Sequence, residues 1–419
     1  MVRLSILAFS TALIAVPVAV MPLTATYAVS QQMADSGTME RANAEMRDVL
    51  MKLDQLGPKP LGSVKAEEAR QQPTPADAVA ALLKDQGKDA EQMKQASGVT
   101  TQDVTYPDGS GAQMAARVYK PESAAAGMPV ILYIHGGGWV IADLDTYDAS
   151  PRALAKKANA IVVSVHYRQA PENKFPAAHD DTVAAYKWVL SNAQSWGGDA
   201  SKIAVVGESA GGNMAINVAI AARDQQLQAP LHIVAVYPVA GTNLDTPSYQ
   251  KNENAKPLNK AGMRWFFENY GRNEADFADP RLDLVKSAKL QDLPPTTIIT
   301  AEIDPLMSEG ESLGEKLKAA GVATMMQNYE GVSHEFFGMD AVVKEAAAAQ
   351  DFAVQELIKS FGSAQGAVSS STTPPATAPA TAPTANAPAP DEEPGSTTGS
   401  IKEAIPAPDA APGSSYTTP

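Results

Sequence analysis

At 419 residues the chain could hold two average domains, but 44% hydrophobic and 19% charged residues suit one elaborated α/β domain with appendages. A formal net charge of −14 repels phosphate backbones and anionic lipid surfaces, which sets nucleic acid aside as a partner. The absence of cysteine excludes disulfides, thiolate zinc sites, a thiol nucleophile and lipid attachment through an N-terminal Cys.

Arg3 precedes an apolar run over residues 4–23, and Thr26-Tyr27-Ala28 then offers a cleavage site. The run is nearly long enough to span a bilayer of about 30 Å, so an uncleaved anchor is the alternative. Pro17, Pro22 and the single flanking positive charge favour a signal peptide over residues 1–28, hence an exported, periplasmic or secreted protein without stable membrane insertion. Residues 31–100 form a polar N-terminal segment with predicted helices over 39–56 and 75–84, separated by Gly57-Pro58-Lys59-Pro60.

Residues 101–361 carry the main pattern. Two strand-like runs flank Pro107-Asp108-Gly109-Ser110-Gly111 and predict a hairpin. Apolar, β-branched runs at 130–134, 161–165, 203–206, 233–236 and 296–300 follow, with helical patterns at 151–158, 180–190, 210–223 and 309–320 between several of them. Continuously apolar strands alternating with helices predict an α/β fold whose mostly parallel sheet is covered on both faces. The stretch from about 241 to 293 breaks the alternation with a polar loop and an aromatic helical run at 263–270, which reads as an insertion over the sheet. A last strand near 325–329 and a helix over about 341–361 end the folded part. Residues 362–419 are Pro, Ala, Thr and Ser with Thr-Ala-Pro repeats, too poor in large apolar groups to offset the entropy of ordering.

One predicted strand runs straight into a helix through Gly207-Glu208-Ser209-Ala210-Gly211, a match to G-x-S-x-G. At roughly 7% abundance each for Gly and Ser, that spacing arises by chance in about one chain in seven of this size, so its weight comes from context. A strand-to-helix turn with small flanking residues presents the serine oxygen above the sheet, and the helix N-terminus favours negative charge there. Upstream, His135-Gly136-Gly137-Gly138-Trp139 follows another buried strand, and consecutive glycines expose the backbone N–H groups that an oxyanion requires. No Lys-Ser/Thr follows and no G-x-G-x-x-G spacing occurs, which argues against a phosphate loop.

A serine hydroxyl needs a base held by an acid. Of five histidines, His135 belongs to the glycine loop, and His179 and His232 read as structural. His166, at a strand end, rivals His334, which sits just beyond the last strand. Asp304 follows the strand at 296–300, with Glu302 as the alternative acid. The order Ser209, Asp304, His334 is that of α/β-hydrolase triads.

These motifs, with Tyr167-Arg168-Gln169-Ala170-Pro171-Glu172, Phe175-Pro176-Ala177-Ala178, Asp279-Pro280-Arg281 and Asp304-Pro305-Leu306, resemble the hormone-sensitive-lipase-like bacterial esterases of the α/β-hydrolase superfamily, from about Pro75 to Phe361. The resemblance implies a triad of Ser209, Asp304 and His334, with Gly137, Gly138 and the Ala210 N–H as oxyanion donors. It also implies a helical cap from the N-terminal segment and the insertion, small esters of short- to medium-chain acids as substrates, and no metal or cofactor. An amidase or deacetylase on the same fold, or a non-catalytic binding protein, are the alternatives. Three positions depart from the commonest pattern: His166 stands where Asp is usual, Gln169 where Leu is usual, and Glu335 where Gly often follows the catalytic histidine.

Overall fold

Each apolar run expected to form a strand does so. In the computed structural model, which describes residues 37–370, β1 (Val99–Pro107) and β2 (Gln113–Pro121) form the hairpin, and β3 (Met128–Ile134), β4 (Ile161–Val165), β5 (Gly198–Glu208), β6 (Ile233–Val236), β7 (Thr296–Ile303) and β8 (Thr324–Ser333) follow. They join one eight-stranded sheet in the order β1-β2-β4-β3-β5-β6-β7-β8. β2 pairs antiparallel with both neighbours and all other adjacent pairs are parallel, so β2 alone runs against the rest.

The helices are α1 (Ala44–Leu56), α2 (Pro75–Asp85), α3 (Ala149–Ala158), α4 (Ala177–Asn192), α5 (Ala210–Asp224), α6 (Lys260–Tyr270), α7 (Met307–Ala319) and α8 (Lys344–Ser370), with several shorter turns between them. Strand residues alternate between two cores: Val130, Leu132 and Ile134 enter one with Ala185, Met214 and Leu313, whereas Ile131 and Tyr133 enter the other with Leu154 and Leu357. Helices thus cover both faces, which is why every residue of β4 and β6 is buried.

Local chemistry sets the helix limits. Thr74 and Asp77 form a reciprocal capping box ahead of α2, with Pro75 at its first position. The helix expected over 39–56 is instead interrupted: a helical turn over 37–41 ends, and Asn43 starts α1 by accepting from the Met46 N–H at 2.8 Å. An Asn side chain competes with helix continuation and favours a cap. Gly57, at φ 73°, closes α1 in the left-handed conformation that glycine adopts without strain. α8 runs on to Ser370, past the expected end at Phe361. The apolar segment at 1–28 and the tail beyond Ser370 lie outside the described residues. Among the described residues, no helix is long and apolar enough to cross a membrane.

Two register relationships position everything that follows. Ile134 at the end of β3 is level with Gly207 near the end of β5, so the chain leaving each strand emerges side by side. Ile303 at the end of β7 is level with Ser333 at the end of β8, which brings residues 304 and 334 to the same edge.

Candidate active site

Ser209 lies between β5 and α5 with φ 56° and ψ −118°, a conformation that a non-glycine residue holds only when its surroundings enforce it. They do so by contact. A Cβ on Gly207 would fall 2.1 Å from the Gly211 carbonyl oxygen, and one on Gly211 would fall 2.0 Å from that of Ile134. The two motif glycines are therefore demanded by close backbone approach, and α5 begins directly beneath the serine with Ala210.

His334 Nε2 lies 3.0 Å from Ser209 Oγ, and His334 Nδ1 lies 2.7 Å from Asp304 Oδ2. The other Asp304 oxygen accepts the Leu306 N–H at 2.8 Å, which fixes the carboxylate at the head of α7. All three side chains are buried, Ser209 only 4% exposed. Burial opposes protonation of His334, but the Asp304 charge and hydrogen bond outweigh it, with Glu335 and Glu208 adding to the effect, so the imidazole is raised above its ordinary 6.5.

The rival groups lie elsewhere. Glu302 accepts the Gly331 N–H and pairs with Lys251, while His166 Nδ1 sits 3.1 Å from His135 Nε2. His179 bridges Tyr270 and Asn213, and His232 bridges Ser360 and Thr297. Burial, with the His166 charge next, pushes His135 down to about 3, so it is a neutral brace at pH 7.

The glycine loop touches the serine turn: a Cβ on Gly136 would lie 3.1 Å from the Ser209 Cβ. Gly137 and Gly138 have φ 83° and 57°, and the Gly137 carbonyl accepts the Val140 and Ile141 N–H groups, which closes the loop on itself. Among the described residues, no acceptor meets the Gly137 or Gly138 N–H. Tyr167 donates to the His135 and Gly136 carbonyls at 3.1 and 2.6 Å, and Gln169 donates to those of Ile141 and Ala142 at 2.8 and 2.7 Å. Gln169 thus braces the loop. Among the described residues, no group of three or more His, Cys, Asp or Glu is arranged to hold a metal ion.

Ser209, the carboxylate-held His334 and a glycine loop whose Gly137 and Gly138 N–H groups meet no acceptor among the described residues come together at the carboxyl edge of a mostly parallel sheet, and the chain that builds this edge is similar to known proteins. A family model for the alpha/beta hydrolase fold matches residues 131–338. An ethyl acetate hydrolase of Pseudomonas putida is 33% identical over 291 residues, covering 68% of this chain and 88% of that protein. A carboxylesterase of Mycobacterium tuberculosis is 40% identical over 237 residues, 56% of this chain and 74% of its own. The chain belongs to the hormone-sensitive-lipase-like esterase family of α/β-hydrolases. In structure, a hyperthermophilic esterase from the archaeon Pyrobaculum calidifontis matches with a TM-score of 0.67 at 31% identity, covering 76% of this chain and 98% of that one.

In this α/β-hydrolase the insertion between β6 and β7 and the N-terminal segment meet over the site. Trp265 on α6 donates its indole N–H to the Val64 carbonyl at 3.0 Å, and the neighbouring Phe266 ring lies over Gly138. Arg70 donates to the Val140 carbonyl at 2.8 Å and the Ala170 carbonyl at 2.7 Å, and pairs with Glu172. The hydrolase also has groups near Ser209 and His334 that sequence reasoning missed. Tyr133 and Tyr237 both donate to Glu208, the residue before Ser209 in the elbow. Burial pushes the Glu208 carboxyl up to about 7 against those bonds. Tyr147 donates to Glu335 at 2.6 Å. No motif marks these tyrosines, because their roles come from strands and loops that meet only in three dimensions.

Proposed function

We propose that this chain is a serine carboxylic-ester hydrolase that works through an acyl-enzyme on Ser209, with His334 as base and Asp304 as its orienting acid. The single observation that carries the reading is the unbroken chain of contacts from Asp304 Oδ2 through both ring nitrogens of His334 to Ser209 Oγ. The esterase names of the relatives support the substrate class.

As Oγ attacks the ester carbonyl carbon, its proton passes to His334 Nε2, and Asp304 stabilises the imidazolium from the opposite nitrogen. The carbonyl oxygen becomes an oxyanion facing the Gly137, Gly138 and Ala210 N–H groups; losing one such donor typically costs about 3–4 kcal/mol of transition-state stabilisation. The bond to the alcohol oxygen then breaks, that oxygen takes the proton from Nε2, and the acyl group stays on Oγ. Water next yields a proton to Nε2 as its oxygen attacks the acyl carbon; the Oγ–acyl bond breaks and the proton returns to Ser209. Ester and water have become acid and alcohol.

Enclosure of Ser209 and the Phe266 ring over Gly138 favour acids of short to medium chain. The N-terminal apolar segment supports export to the periplasm or beyond, testable by N-terminal sequencing of the mature protein, expected to begin at Val29. Activity is tested with p-nitrophenyl acetate, butyrate and longer esters beside N-acyl anilides, together with a fluorophosphonate label. Ester cleavage with the label on Ser209 is expected. Preferential anilide cleavage would make the chain an amidase, and a label unaffected by Ser209→Ala would remove the nucleophile assignment.

A further inference from the structure

The residue after the base carries a side chain that the mechanism above does not use. Glu335 holds φ 71°, in the left-handed region that a side chain adopts only against resistance. Its side chain is not left in solvent. Tyr147 Oη donates to Glu335 Oε1 at 2.6 Å, and the same Oε1 lies 3.9 Å from His334 Nε2. Tyr147 is itself fixed beside the nucleophile: a Cβ on Gly136 would sit 2.3 Å from Tyr147 Oη and 3.1 Å from the Ser209 Cβ.

We propose that Glu335, held by the Tyr147 hydroxyl, is a positioning residue that stabilises the His334 imidazolium from the Nε2 edge, opposite Asp304. This rests on His334 being the base. Asp304 faces Nδ1, which keeps its proton throughout the cycle; Glu335 faces the nitrogen that gains and loses one. A carboxylate on that edge attracts the ring whenever it is charged, in both acylation and deacylation, without taking the proton itself. The hydroxyl of Tyr147 keeps Oε1 an acceptor, hence directed by a donor rather than free to bond Nε2 directly.

The groups facing His334 are Asp304, Glu335, Glu208 and the Tyr237 ring, centred 4.5 Å away. Those facing Glu335 are His334, Tyr147, Asp304 and Glu208, with the hydroxyls of Tyr133, Tyr167 and Tyr237 around them. Glu208 is answered by two tyrosine hydroxyls, and Glu335 is the carboxyl whose oxygen lies 3.9 Å from the proton-transferring Nε2. Burial raises the Glu335 carboxyl and His334 lowers it, so the two titrate together.

The test compares kcat/KM against pH for p-nitrophenyl butyrate in wild type, E335Q, E335G and Y147F. Removing the charge makes His334 easier to deprotonate, so the acid limb should move to lower pH by about half a unit or more in both Glu335 variants. Y147F should move it the same way by less, and add nothing on top of E335Q. The low-field Nδ1 proton of His334, followed by NMR during pH titration without substrate, should shift its midpoint in parallel. Superimposable acid limbs and midpoints in wild type and E335Q would overturn the proposal. So would a shift in E335G alone, which would assign the effect to backbone strain. If wild type cleaves no ester, the reading of the activity fails, while the NMR midpoint still decides whether Glu335 acts on His334.

Discussion

The ring of Phe266 covers Gly138 so closely that a Cβ at residue 138 would fall 2.2 Å from the ring's Cδ1 atom. A residue of the segment between β6 and β7 therefore forms the surface above a proposed oxyanion donor, and the two positions have opposite expected phenotypes. Gly138→Ala must displace the ring and strain a φ of 57°, so kcat/KM should fall by about 10²–10³ on every ester, the usual effect of losing one donor. Phe266→Ala removes the wall and leaves the donor in place. Hexanoate should gain on acetate by about tenfold or more, since each methylene accommodated in an apolar pocket is worth about 1–3 kcal/mol. Steady-state kinetics across an acyl-length series reads both effects, and a uniform loss in Phe266→Ala would remove it from the acyl wall.

Asp304 is sealed behind His334 and keeps one oxygen for the ring and one for the Leu306 N–H. Asp304→Asn preserves the shape but presents the ring with an amide in place of a charge, which disfavours the tautomer that leaves Nε2 able to accept. On the proposed mechanism, kcat should fall by about 10⁴ with KM little changed and the fold intact by circular dichroism. Glu302→Gln tests the rival acid. It bonds the Gly331 N–H and Lys251, away from the ring, so turnover should stay within about twofold of wild type.

Much of this was legible because it follows from period and punctuation. Largely apolar runs rich in β-branched residues at 130–134 and 161–165 read as buried strands when helical patterns flank them, and the glycines around Ser209 mark a turn too tight for side chains. Strand order brought Asp304 and His334 together, and chain order alone already paired them. What was hidden depends on contacts between distant segments. Arg70 lies in a polar stretch with no motif, yet it reaches carbonyls 70 and 100 residues away. The break at Asn43 was missed because its cap competes with a continuing helical pattern, and local periodicity registers the pattern and not the competitor.

That reach of Arg70 yields a separable prediction. Its bond to Glu172 joins a carboxylate whose side chain is 56% exposed, and such surface pairs contribute about 0–1 kcal/mol. Its bonds to the Val140 and Ala170 carbonyls instead tie the N-terminal segment to the glycine loop and the chain after Tyr167. Arg70→Ala should lower the midpoint of thermal unfolding by several degrees and reduce kcat/KM by about tenfold, whereas Glu172→Gln should do neither. Equal effects of the two substitutions would mean that the ion pair, not the carbonyl bonds, carries the connection.

Glu208 supplies a test in the pH dependence of stability. Its carboxyl is completely enclosed and raised from 4.5 to about 7, so the folded state binds a proton that the unfolded state has released between those values. The contribution to stability is complete below about pH 4.5 and is lost as pH rises through about 7. His135, His179 and His232 are lowered by burial to about 3, 4 and 4 and act in the opposite sense, gaining stability as pH rises toward 6.5. A wild-type profile mixes the two, but the difference from Glu208→Gln isolates the carboxyl, because the amide keeps the shape and does not titrate. The variant should lose ground at about pH 5, where the neutral acid receives Tyr133 and Tyr237 well, and recover it by about pH 8. The swing is bounded by the shift at about 3 kcal/mol. Denaturant unfolding of both proteins at several pH values measures it, and a difference that stays flat from pH 5 to pH 8 would show that Glu208 is ionised in the fold throughout.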